Sequence, residues 1–245
     1  MFRGFGTVLN VVTVLAGSGI GVLVGHRLPQ RTRDVVTDAL GLVTLLIAAV
    51  SAAAVLAAAV GESATVLVVL GALLIGGIAG SLLRIESRLE EFGGVLQHRL
   101  ARDGDGEARR RFIEGFLTAS LVFCVGPLTI LGSLSDGMGT GYEQLALKAT
   151  MDGFASVAFA ASLGWGVMAS ALAVGVVQGL LTLLGVLAGD VFGDAAIAAL
   201  TATGGLLLVG VALRLLRMKP LPVGDLLPAL VVAPLLVVIV TAFRT

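Results

Sequence analysis

The chain has 245 residues, 57% of them hydrophobic and 13% charged, and its sixteen basic and sixteen acidic side chains give a formal net charge of zero. Soluble domains usually carry about a quarter charged residues, so the composition excludes a soluble domain and demands the lipid bilayer as a partner. Zero net charge leaves no electrostatic footprint for nucleic acid.

In chain order, uncharged runs such as 4–25, 63–83 and 115–135 each approach the length of about 20 residues that crosses a bilayer as helix. In lipid a helix satisfies its own backbone, so the fold class expected is all-α: a polytopic transmembrane helical bundle. About eight spans are expected, at 4–25, 36–60, 63–83, 114–135, 145–163, 166–189, 194–214 and 223–243, in a single integral membrane domain 1–245. The first run lacks a short apolar core followed by a small-residue cleavage site and reads as a retained helix. The fifth and sixth spans divide a run of 37 uncharged residues after Asp152. As one helix that run would be about 55 Å long, against a hydrocarbon core of about 30 Å. "SLGWG", around Gly164 and Gly166, is where it should break.

Charge offers an independent check, because cytoplasmic loops collect Lys and Arg. Thirteen of the sixteen basic residues fall in three stretches: Arg27 to Arg33, a charged loop 84–111, and Arg214 to Lys219. Eight crossings put all three stretches on one side, and Glu62, Asp136, Glu143, Asp190 and Asp194 on the other. Both termini then lie outside.

"DALGLVTLLIAAVSA" echoes "TATGGLLLVGVALRL" five crossings later, the pattern an inverted transporter repeat would give, although Gly- and Leu-rich tracts also resemble one another by composition. Glycines four apart, such as Gly17, Gly21 and Gly25, suit close helix packing in lipid. "GSGIG" follows no strand and is discounted as a nucleotide loop; with no H-E-x-x-H or G-x-S-x-G present, neither a cofactor nor an enzyme is expected. His26 and His98 are placed in loops. Cys124, the lone cysteine, permits no intrachain disulfide.

The polar residues inside spans are few. Thr7 and Asn10 share a face of the first helix. Asp38 and Glu114, near helix ends, read as structural. Gly126 and Pro127 interrupt the fourth span, and a proline there frees the carbonyl near Phe123, either as a kink or as a site where carbonyls meet cations. Gln178 lies mid-span, as helix glue or as pathway. Asp152 lies deep in the fifth helix, where a carboxylate costs roughly 2.5–3.5 kcal/mol and usually faces a cavity. Lys148, one turn earlier, offers a structural ion pair instead. Ser156, Ala160 and Gly164 continue the Asp152 face with side chains small enough to border a cavity.

The segments "GTVLNVVTVLAGSGIGVLVGHRLP", "FCVGPLTILGSLSDG", "KATMDGFASVAFAASLGWGV" and "TATGGLLLVGVALRLL" resemble the bacterial YqgA/YdfK-like membrane protein family over nearly the whole chain. The resemblance implies a polytopic inner-membrane protein that carries a transport label, with no established substrate and no catalytic residues to transfer. "MDGFASVAFA" also resembles the aspartate-bearing helix of small manganese exporters, which ranks a metal cation at Asp152 above other solutes. The sequence therefore leads to a transporter or channel-like carrier for a small ion, with Asp152, Asn10, Gln178, Gly126, Pro127 and Ser156 along its pathway. A non-transporting membrane scaffold or sensor is the alternative, and a homo-oligomer remains open.

Overall fold

The computed structural model describes residues 2–57, 62–100, 106–188 and 193–242. Asp190 and Arg102, used in the charge count, lie outside them. The described residues form ten α-helices and no strand. They are α1 Phe5–Gly25, α2 Gln30–Ala57, α3 Glu62–Leu82, α4 Ile85–Leu100, α5 Gly106–Cys124, α6 Pro127–Met138, α7 Glu143–Leu163, α8 Gly166–Ala188, α9 Asp194–Leu215 and α10 Ala229–Ala242, the last preceded by a 3-10 turn, Val223–Leu226.

Five helices are long and apolar enough to cross a membrane, and seven spans result if the bent pairs α3–α4 and α5–α6 each count once. Helix α7 makes eight. At 21 residues it is as long as α1, but it carries Lys148 and Asp152. The split between the fifth and sixth spans falls where length demanded it, with α7 ending at Gly164, whose φ of 79° suits only glycine. The segment 84–111, expected to be a charged loop, is helical from Ile85 to Leu100 and turns 57° from α3. His98 therefore rides on a helix.

The chain divides into two packing units. Unit 1 comprises Met1–Leu40, Glu90–Cys124 and Leu128–Asp190; unit 2 comprises Gly41–Leu89, Val125–Pro127 and Val191–Thr245. In unit 1, α1 and α7 run parallel: Gly6 approaches Leu145, Gly17 approaches Gly153 and Ser156, and Gly25 approaches Ala161. Helix α8 is antiparallel to α1, with Thr7 beside Thr182 and Val11 beside Gly175. Phe123 and Phe159 close the core edge-to-face at 6.0 Å.

In unit 2, α3 and α10 are antiparallel: Gly80 packs against Asp225, Gly76 against Ala229 and Gly71 against Leu236. Helices α2 and α9 are also antiparallel, Gly41 meeting Leu216 and Gly205 meeting Ala48 and Ala52. The two echoing sequence segments thus pack against each other within one unit. Val68, Ala72, Ala199, Ala233 and Val237 form an apolar core there. Glu86 ties its basic end together, accepting from Arg214 Nη1 and from the Gly224 N–H, both at 2.5 Å, while its own N–H donates to Asp225 Oδ1 at 2.9 Å. These directions, odd with odd parallel and odd with even antiparallel, are what eight alternating crossings require.

Candidate functional site

Three polar side chains meet where α1 and α7 cross. Lys148 Nζ lies 2.9 Å from each carboxylate oxygen of Asp152. Asn10 Nδ2 donates to Asp152 Oδ2 at 3.0 Å. All three are buried, with relative exposures of 7%, 5% and 0% for Lys148, Asp152 and Asn10. Asp152 lies nine residues into α7, about 14 Å along its axis at 1.5 Å per residue, which is mid-membrane depth.

What holds the helices together is mostly the seam below this cluster. Interhelical hydrogen bonds in a membrane average only about 0.6 kcal/mol, so the bond from Asn10 is a minor contributor. Gly17, Gly21 and Gly25 lie one turn apart along α1, and a Cβ at Gly21 would strike the Val157 carbonyl oxygen while one at Gly25 would come within 2.6 Å of that of Ala161. Ser156 belongs to this seam. Its hydroxyl donates to Gly153 O in its own helix at 2.8 Å, and a Cβ at Gly17 would collide with its Oγ. The face expected to border a cavity packs against α1 at Ser156.

Helix α8 supplies Gln178. The hydroxyls of Thr7 and Thr182 are 3.2 Å apart. That antiparallel register puts Gln178, one turn before Thr182, level with Asn10. Gln178 is fully buried, and neither of its amide atoms has a hydrogen-bond partner; Asn10 Oδ1 has none either. A buried polar atom without a partner costs about 1–3 kcal/mol, so three of them at one level of these helices call for an explanation.

Gly126 and Pro127 do break the fourth span: α5 and α6 are bent by 61°, and Pro127 opens α6. A proline at a helix start loses no hydrogen bond. The carbonyl expected to be free is not free, because Thr129 Oγ1 donates to Phe123 O at 3.1 Å. The break is therefore self-satisfied, and Gly126 and Pro127 fall in unit 2. Thr129→Val keeps the shape and strands the buried carbonyl. It is expected to cost about 1–3 kcal/mol in thermal unfolding, with Thr129→Ser recovering most of that.

Sequence reasoning placed Asp136 in an outer loop, but it lies buried on α6, where its Oδ2 accepts the Gly6 N–H at 2.9 Å. A carboxylate on the first turn of α1 satisfies one of that helix's open donors and meets its positive end. Among the described residues no three His, Cys, Asp or Glu side chains come together as metal ligands. The Asp152 donor set, one carboxylate already engaged by an ammonium, does not fit a resident metal ion.

A family model described as "Protein of unknown function (DUF554)" matches residues 5–238. The chain belongs to this family. It is similar to the "Uncharacterized membrane protein YdfK" of Bacillus subtilis (strain 168), 27% identical over 239 residues that cover 98% of each protein. It is also similar to the "Uncharacterized protein YqgA" of Escherichia coli (strain K12), 28% identical over 228 residues, 93% of this chain and 94% of that one. No solved structure matches it significantly. The match spans residues of both packing units.

Proposed function

We propose that the chain is a non-enzymatic inner-membrane carrier or channel-like transporter for a small cation, with its path through unit 1 beside Asn10, Asp152 and Gln178. One observation carries this reading. The buried side-chain atoms without partners, on Asn10, Ser18, Arg33, Ser120, Ser133 and Gln178, all belong to unit 1 among the described residues. Polar groups inside spans face the bundle interior or a water-filled cavity rather than lipid, and those left without partners suit a cavity.

Asn10 Oδ1 and Gln178 Oε1 supply neutral oxygens, and Asp152 supplies one negative charge. Lys148 balances that charge when no ion is bound, so an arriving cation competes with an ammonium rather than falling into a deep electrostatic well. One carboxylate with two amide oxygens suits a monovalent cargo better than a divalent one. Purified protein in liposomes, screened for flux across monovalent cations, divalent cations and anions, tests the reading; no flux of any ion leaves the scaffold.

Gln178→Met separates function from packing. It removes two unpaired buried atoms and keeps the volume, so it is expected to raise the thermal midpoint while flux falls at least about tenfold. Unchanged flux would remove Gln178 from the path.

The three basic stretches support an orientation with both termini outside. A cytoplasm-dependent reporter fused to the C-terminus is expected to be inactive, and one fused after Arg102 active. The opposite pattern overturns the topology. The substrate is the only partner besides lipid that this reading needs, and a homo-oligomer is compatible with it.

A further inference from the structure

At the other end of unit 1, away from the buried cluster, α1 and α7 finish side by side. Their last carbonyls are held by two arginines. Arg33 Nη2 donates to Gly25 O at 2.6 Å, and Arg111 donates to Ser162 O through Nε at 3.1 Å and through Nη2. Ser162 Oγ in turn donates to Arg33 O at 3.2 Å. These contacts fix both guanidiniums beside a cavity of about 570 Å³, lined also by His26, Gln97, Glu107 and Trp165. Arg33 Nε is buried without a partner, so that guanidinium keeps unspent donor capacity.

We infer that this cavity binds the phosphodiester of a phospholipid headgroup between Arg33 and Arg111. Two guanidiniums bring two positive charges. The C-termini of two helices bring roughly half a negative charge each, and Glu107, Glu114 and Asp34 lie within electrostatic reach of Arg111, so forked donors rather than a surplus of charge must select the ligand. Glu107 is the one acid on the lining; it is exposed to water, where its charge is screened. Two forked donor groups, one with an unspent Nε–H, match the paired oxygens of a phosphodiester, an anion that arginine recognises bidentately. The depth fits too. Trp165, 53% exposed on the α7–α8 turn, lies at the span ends, where tryptophans settle among headgroups and where basic pockets between helices take lipid phosphates.

Trp165 is the only tryptophan in the chain, so its emission comes from one position, beside this cavity. Full-length protein in detergent would be titrated with short-chain phosphatidylglycerol and, separately, with inorganic phosphate. A saturable change in Trp165 emission with the lipid is expected, its apparent Kd rising roughly tenfold in Arg33→Gln and Arg111→Gln and staying put in Arg31→Gln. Should a Gln variant fail to fold by circular dichroism, Arg111→Lys, which keeps the charge and loses the fork, is expected to weaken binding several-fold. Saturation by inorganic phosphate with the same arginine dependence keeps the phosphate site and assigns it a soluble ligand. A non-saturating response to both, or an unchanged Kd in every folded arginine variant, overturns the inference.

Discussion

Asp152→Asn is expected to lower the thermal midpoint sharply and to abolish cation flux in the same variant. The carboxylate and the Lys148 ammonium are both buried and touch at 2.9 Å. Removing one partner of a buried ion pair leaves the other charge uncompensated, which typically costs about 3–5 kcal/mol. The hydrogen bond from Asn10 adds little to this cost, since an asparagine oxygen can still accept it.

Adding Lys148→Gln removes the stranded charge. The double variant should regain most of the lost stability, because a neutral pair of similar volume is often as stable as the ion pair it replaces. Flux then discriminates. The carrier reading expects it to stay absent in the stable double variant, since the negative charge that attracts the cation is gone. Flux restored together with stability would make the pair a structural strut and remove Asp152 from the path.

The Lys148–Asp152 contact was legible because it is local: a spacing of four on one helix puts two side chains on one face. Asn10 could be picked out as polar, but its partner is 142 residues away, and no periodicity carries that information. The two crossings after Asp152 were readable from length alone, and Gly164 from its place in the run. Ser156 is hard to place from sequence because one pattern of small residues serves two ends: it can border a cavity or let a neighbouring helix in. Gly17 and Gly21 decided the matter from the other side, and only packing reveals which helix they face. Pro127 was read correctly as a break, while Thr129, two residues on, was overlooked as the donor that completes it. Charge density hid α4, since a run of Arg and Glu scores as loop even where Phe92 and Phe116 pack at 6.0 Å.

Gly21→Val should be the most damaging single change in unit 1. A Cβ at Gly21 would strike the Val157 carbonyl oxygen, lie 2.8 Å from Ala160 Cβ and 3.0 Å from the Val157 carbonyl carbon. Two of those three atoms are backbone and cannot rotate away, so α1 must move off α7. In lipid there is little hydrophobic drive to press the helices back together, and the close contact itself is most of what joins them. Ordinary overpacking costs about 1–3 kcal/mol; a clash with backbone at the centre of a three-glycine seam should reach the top of that range or pass it. The same displacement pulls Asn10 from Asp152, so flux should fall with stability. Gly179→Ala is the control, because nothing lies within 4 Å of its added Cβ, and alanine within a helix gains about 0.5–1 kcal/mol over glycine. Thermal melts of the two variants in one detergent compare them directly. If Gly21→Val melts with the wild type, the α1–α7 seam is not what holds the ion-pair cluster in place.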